Sequence, residues 1–174
     1  MTRRRRDIRV ALTGFMGVGK SSVSRHLAHI LKCERIDLDN YIEKNEERTI
    51  PSIIDVEGLE DYRRIESENL ARLLGESTAN IVSLGGGTWT VAKNREILKE
   101  RGFTTVWLEA TFDQCWLNIS HSRRDRPLAR DKTAARKLFE ERQKVYCLAD
   151  WHLIVRPDFT SLDVAKKIVD EIFG

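Results

Sequence analysis

Hydrophobic and polar positions along the chain repeat in two periods, one suited to strands and one to helices. From Ile8 the run IRVALTG is β-branched and apolar and stops at glycine, which predicts a buried strand. SSVSRHLAHILKC follows with Val23, Leu27, Ile30 and Leu31 at helical spacing, so the order is strand, loop, helix. Arg35 to Leu38 predicts a second short strand, and 39–75 then reads as helical, interrupted near Pro51 and Gly58. Within that stretch Tyr62, Ile65, Leu70, Leu73 and Leu74 mark the inner face of an amphipathic helix.

The same alternation continues to the end of the chain. Ile81 to Leu84 predicts a buried strand stopped by Gly85, Gly86 and Gly87; Thr90 to Arg101 reads as a helix capped by Gly102, and Phe103 to Leu108 as a strand. A helix from about Phe112 to Ile119 leads into a polar, proline-containing stretch, 120–132. Thr133 to Ala149 is helical again, and His152 to Val155 is the last strand. Thr160 with Asp163 predicts a capping box opening a final helix through Ile172. Strands alternating with helices imply an α/β fold: a mostly parallel sheet of about five strands, covered on both faces, with ligands at the carboxyl ends of the strands. The best candidate loops start at Gly14 and Gly85.

Charge narrows the choice of ligand. The chain has 174 residues and a net charge of +3, but Arg3, Arg4, Arg5, Arg6 and Arg9 against Asp7 contribute +4 of it. Residues 10–174 carry 25 basic and 26 acidic groups, so the basicity is a tail and not a face. A near-neutral body argues against a nucleic-acid reader and leaves room for a small anion. No apolar run approaches a membrane span, and the arginine-rich start lacks the apolar segment of a signal peptide; the expectation is a cytoplasmic, monomeric protein. Residues 1–7 read as a flexible basic arm and 8–174 as a single domain. Cys33, Cys115 and Cys147 are odd in number and widely spaced, which predicts buried or half-buried free thiols and no disulfide or zinc site.

Gly14 to Ser21 reads GFMGVGKS, which fits Gly-x-x-x-x-Gly-Lys-Ser and sits between a predicted strand and a predicted helix. The glycines, Gly14, Gly17 and Gly19, together with Val18, allow several backbone amides to face one anion, and the helix start with Ser22 adds its positive end. Lys20 would reach the outer phosphates and Ser21 would ligate magnesium, so ATP with Mg²⁺ is the expected pair. No Asn-Lys-x-Asp guanine reader is present, and the chain is small for mechanical ATP hydrolysis. Phosphoryl transfer to a small acceptor is the leading reading.

GFMGVGKSSV resembles the shikimate kinase family's version of this loop, and the resemblance runs through nearly the whole chain from Ile8. Ile36-Asp37-Leu38-Asp39 is similar to the family's Asp-x-Asp, and two aspartates at spacing two would project to one side of an extended chain. By resemblance Asp39 would hold the acceptor hydroxyls and take the proton, and Asp37 would act near the magnesium through water. The segment from Gly58 to Glu66 resembles the family's Gly-Glu-x-x-Phe-Arg-x-x-Glu, with Leu59 in place of glutamate and Tyr62 in place of phenylalanine. Arg63 would then take the carboxylate of shikimate in paired hydrogen bonds, with Glu66 orienting it.

The remaining parallels extend the resemblance to both ends of the reaction. Gly85, Gly86 and Gly87 would let backbone approach the substrate. The stretch 120–132, with a local charge of +3, contains Arg126-Pro127-Leu128, similar to the family's mobile lid, and Arg126 would neutralise the transferring phosphoryl group. Arg123 and Arg124 crowd close to it, where the family's earlier lid arginine stands farther away. Arg142 and Tyr146 share a helix face; by spacing alone Arg142 is one charged helix residue among many, and by resemblance it is the second carboxylate contact. Arg156 stands where related enzymes cradle adenine. The resemblance implies a shikimate kinase with its substrate-binding helices at about 39–75 and its lid at about 120–132. The alternatives are a kinase for another small acid or polyol such as gluconate, or a catalytically silent ligand-binding relative.

Overall fold

The computed structural model describes residues 8–174; the basic arm expected at 1–7 lies outside them. Strand β1, Val10–Thr13, is apolar on both faces and fully buried at all four positions. Helix α1, Lys20–Leu31, follows, and Val23, Leu27 and Leu31 recur every four residues on its buried side. β2, Arg35–Asp37, is short and half-buried. Three helices come next: α2, Leu38–Glu46, α3, Ile50–Glu57, and α4, Leu59–Glu76.

The break expected near Pro51 falls earlier. Glu47 ends α2 in the left-handed conformation, Thr49 caps α3 through the Ser52 amide, and Pro51 sits inside the first turn of α3. A proline there forfeits no helical hydrogen bond, because first-turn amides have no partner in the helix. Gly58, at φ 90°, makes the second break as expected.

β3, Ile81–Ser83, is followed by a single 3₁₀ turn, Thr88–Thr90, and by α5, Ala92–Glu100. Then come β4, Thr104–Glu109, α6, Phe112–His121, a second 3₁₀ turn at Pro127–Ala129, α7, Lys132–Tyr146, β5, Trp151–Ile154, and α8, Ser161–Ile172. The capping box at Thr160 and Asp163 is formed in both directions. Compared with the sequence expectation, α7 stops three residues earlier and β5 starts one residue earlier.

All five strands are parallel, in the order β2-β3-β1-β4-β5. β1 is central, so the loops leaving β1, β2 and β3 open side by side at one end of the sheet. Asp37, Ser83 and Leu12 stand level there, since Asp37 pairs with Ser83 and Ser83 with Leu12. Among the described residues the three cysteines are free, Cys115 buried, Cys33 half-buried, and Cys147 exposed at the end of α7 rather than sheltered. No helix of these residues is long and apolar enough to cross a membrane.

Candidate active site

A cavity of about 700 Å³ opens at the carboxyl ends of the strands. Its phosphate end is built by the loop from β1 to α1. Gly19 precedes α1 at φ 104°, a backbone that a side chain would strain, and a Cβ on Gly17 would stand 2.6 Å from the Cys115 carbonyl oxygen. The first-turn amides of α1 have no partner within the helix and carry its positive end. Gly17, Val18, Gly19, Lys20, Ser21 and Ser22 all line the cavity. Gly14 lies behind it, where a Cβ would meet the Leu108 carbonyl oxygen at 2.7 Å.

Lys20 folds back on its own loop, donating from Nζ to the carbonyl oxygens of Gly14 at 2.7 Å and Phe15 at 3.0 Å. Burial lowers its ammonium to about 8, with the Asp39 carboxylate pulling the other way. Two neutral carbonyls compensate a desolvated cation poorly, and a polyphosphate would do so far better.

Asp37 and Asp39 converge by a route different from the one expected. β2 ends at Asp37, and Asp39 already belongs to the first turn of α2, so the strand-to-helix turn, and not strand alternation, aims both carboxylates into the cavity. Asp37 caps α2 through the Asn40 amide and accepts on Oδ2 from the hydroxyls of Ser21 and Ser83, the latter at 3.0 Å. Hard oxygen donors thus gather beside the phosphate loop, a set suited to magnesium held partly through water. Among the described residues no cluster of three or more His, Cys, Asp or Glu forms an all-protein metal cage.

The other end of the cavity is organised by Gly85, Gly86 and Gly87. None of the three has positive φ, so glycine is needed there for space. A Cβ on Gly85 would stand 3.0 Å from Asp39 Oδ1, one on Gly86 3.2 Å from Arg142 Nη1, and one on Gly87 2.0 Å from Arg63 Nη2. Each glycine therefore seats one of the three side chains named from the sequence. The loop is tied down by the Tyr146 hydroxyl donating to the Gly86 carbonyl and by Trp89 Nε1 donating to the Val145 carbonyl at 3.0 Å.

Arg63 is held by Glu66 at 2.7 Å. Glu66 is completely buried and also accepts from Thr88 Oγ1 at 2.8 Å and from the Tyr62 hydroxyl at 3.3 Å. The tyrosine that replaces phenylalanine thus adds a donor to the carboxylate that positions Arg63. Leu59, the other departure, starts α4 on the exterior and does not line the cavity. Arg142 is 6% exposed, which overturns the surface placement that helical spacing alone suggests. Its Nη1 has no hydrogen-bond partner, and burial lowers its pKa. A buried guanidinium donor aimed into a cavity, beside a second arginine, calls for an anion.

Between the two ends lies the segment 122–131. Arg126 lines the cavity with Nη1 buried and unpartnered, and desolvation depresses its pKa. Arg124, given no firm role from the sequence, donates to Asp39 Oδ2 at 3.0 Å and lies 3.9 Å from Glu43. Arg156 is placed outside the cavity, paired with Asp158 at 3.1 Å and set over Phe159; its neighbours Val155, Pro157 and Phe159 line the wall. Polar lining residues that escape sequence reading include Ser122, Ser161, Asn118, donating to the Gly17 carbonyl at 2.7 Å, and Gln114, whose Oε1 is buried without a partner; the last two lie on α6. The spacing of four between Gln114 and Asn118 is the signal in the sequence.

A model of the shikimate kinase family matches residues 16–173. The chain belongs to the shikimate kinase family. A shikimate kinase of Lactococcus lactis subsp. cremoris is 40% identical over 164 residues, which cover 94% of this chain and 92% of that one. A shikimate kinase of Persephonella marina is 34% identical over 170 residues, 95% and 96% of the two chains. The solved shikimate kinase from Acinetobacter baumannii in complex with shikimate superposes with a TM-score of 0.86 at 32% identity, covering 95% of this chain and 92% of that one. A gluconokinase from Sinorhizobium meliloti, at a TM-score of 0.56 and 16% identity over 98% of both chains, shares the fold alone.

Asp39 of this family member is the strained charge of the site. Desolvation raises its carboxyl to about 6 from an ordinary 3.8, although Arg124 favours the ionised form. A raised folded pKa means that the folded state binds more protons than the unfolded state between about pH 4 and 6, so stability falls as pH rises through that window. Asp39→Asn is expected to stabilise the protein by about 1–2 kcal/mol at pH 7.5, part of the gain being offset by the lost Arg124 pair. In urea unfolding the gain should shrink as pH drops from 6 towards 4. A destabilised variant at pH 7.5, or a gain independent of pH, would contradict the desolvation account.

Proposed function

We propose that this chain transfers the γ-phosphoryl group of ATP to the 3-hydroxyl of shikimate, giving shikimate 3-phosphate and ADP. The observation that carries the acceptor assignment is the convergence of Arg63 and Arg142 on one glycine pair, with Arg142 Nη1 unpartnered in a buried position. Two guanidinium forks at such a place suit a planar carboxylate and disfavour a neutral polyol, which would leave Arg142 desolvated without a counter-charge while Arg63 keeps only Glu66. Membership of the family and the likeness to a relative solved with shikimate support the same acceptor.

The chain's residues divide the work by position. The β1–α1 loop takes the triphosphate on backbone amides, with Lys20 leaving its two carbonyl partners for the outer phosphates. Arg63 and Arg142 hold the carboxylate of the acceptor, which turns its ring so that a hydroxyl meets Asp39 beside Gly85. The hydroxyl oxygen bonds to the γ-phosphorus, the bond from that phosphorus to the ADP oxygen breaks, and the hydroxyl proton passes to Asp39. Such a loose transfer needs charge neutralisation more than a strong base, and Arg126 supplies it from the segment 122–131, which acts as a lid that excludes water. Ser21 and Asp37 would hold Mg²⁺, which would supply positive charge to draw off the negative charge of the phosphates.

A cytoplasmic location goes with this reading, as the free thiols suit a reducing compartment, and a monomer is proposed with it. The departures at Leu59 and Tyr62 do not favour a silent relative, since one lies outside the cavity and the other adds a bond to Glu66.

A coupled ADP-release assay should give turnover with shikimate and little with gluconate or a neutral polyol; the reverse would sink the acceptor assignment. Arg63→Ala and Arg142→Ala should each weaken shikimate binding by about ten- to a hundredfold while leaving ATP affinity near the parent value, read by calorimetry. Gly87→Ala should weaken shikimate binding as Arg63→Ala does, because its methyl group would stand 2.0 Å from Arg63 Nη2 and push that side chain off its seat, with some loss of stability as the pair with Glu66 loosens. Parental shikimate affinity in Gly87→Ala would show that Arg63 does not need that seat. Finally, Lys20→Ala should lower kcat by about a hundredfold or more with an unchanged circular dichroism spectrum.

A further inference from the structure

Arg126 reaches the cavity without a bond that explains how it stays there. Its Nη1 is buried and unpartnered, so it spends no donor on a neighbouring side chain at that atom. The residue just before it is engaged: Asp125 accepts from Arg130 twice, on Oδ1 at 3.0 Å and on Oδ2 at 2.7 Å. Arg130 extends the same guanidinium to α3, donating to Asp55 Oδ1 at 3.2 Å and Oδ2 at 3.0 Å. One arginine therefore makes two bidentate contacts, one to the residue beside Arg126 and one to a different element of the fold. Bidentate guanidinium–carboxylate pairs fix direction as well as distance, which a single ion pair does not.

Between those anchors the chain has little freedom. Pro127 starts the 3₁₀ turn Pro127–Ala129, Ala129 is buried, and its amide donates to the Arg126 carbonyl at 2.9 Å. Arg126 is thus spanned by an Asp125–Arg130 clamp across one short turn, and the clamp is fastened to α3 at Asp55. α3 also brings Ile50, Pro51 and Ile54 to the cavity wall, so the acceptor side and the lid meet through this triad.

We propose that Arg130 is a positioning residue for phosphoryl transfer, bridging Asp125 and Asp55 so that Arg126 is held over the phosphoryl group by the acceptor-binding side of the fold. The inference rests on the role given above to Arg126. It makes lid closure depend on α3 and assigns a purpose to Asp55, which touches neither end of the cavity. Arg130 and both its partners are about half exposed, so the clamp contributes orientation and only a modest energy.

The test compares Arg130→Gln, Asp55→Asn, their double variant, and each change made in an Arg126→Ala background. Arg130→Gln and Asp55→Asn are each expected to lower kcat and kcat/KM together by about two- to fivefold, with shikimate and ATP affinities and the unfolding midpoint unchanged. The double variant should be no worse than the poorer single, since both break one unit. Asp55→Glu should restore part of the loss, and about 0.5 M salt should bring the parent down towards the variants. In the Arg126→Ala background Arg130→Gln should have no further effect. Parental kcat in both single variants, losses that multiply in the double, or a further loss when Arg126 is absent would each overturn the positioning role. If Arg126→Ala itself turns over like the parent, the role of Arg126 fails instead.

Discussion

The acceptor end of this protein depends on one buried charge. Glu66 lies completely inside the fold on α4, where an unpaired carboxylate would be prohibitive, and Arg63 compensates it at 2.7 Å on Oε1 while Thr88 and Tyr62 donate to Oε2. Because Thr88 begins the turn after the glycines, the same carboxylate that aims Arg63 also anchors the loop it lies against. Removing a partner from such an arrangement typically costs about 3–5 kcal/mol. The pairing therefore fixes Arg63, the glycine loop and α4 relative to one another, and Arg142, Asp39 and the cavity shape follow from that frame.

The site is electrostatically unsatisfied by construction. Burial pushes Lys20 down to about 8 and Asp39 up to about 6, and depresses Arg126 and Arg142. Burial disfavours each of these charges, and each is one that a triphosphate, a hydroxyl or a carboxylate would compensate. Binding energy then goes into relieving tension already present, which places the charges before the reaction starts. On the proposed function, the Arg124 contact to Asp39 and the Lys20 contacts to its own loop are ones that a bound acceptor or triphosphate would replace.

What could be read from the sequence is whatever is local. The alternation of apolar runs is enough to order the strands and helices, because burying both faces of β1 requires Val10, Ala11 and Leu12 to be apolar. The phosphate loop is legible because its chemistry needs adjacent residues. Asp37 and Asp39 were read as neighbours correctly and by the wrong geometry, since spacing two fits both a strand and a strand-to-helix turn. The burial of Arg142 could not be read from α7 alone, where a glutamate precedes it and a glutamine follows it. Partner choice among exposed charges was also invisible: Arg130 reaches Asp55, 75 residues away, and Arg124 reaches Asp39, 85 residues away. Nothing in a local pattern selects among so many candidate pairs. The glycines were read as room for the substrate, whereas in the fold they also make room for Asp39, Arg142 and Arg63.

On the proposed function Arg63 and Arg142, seated on Gly87 and Gly86, form a single carboxylate clamp facing Asp39. A crystal structure of the protein grown with shikimate tests it most directly. The carboxylate should lie within hydrogen-bond distance of both guanidinium groups, with a ring hydroxyl on Asp39 and with Arg63 still paired to Glu66. Shikimate bound with its carboxylate towards Lys20, or held by only one of the two arginines, would contradict it.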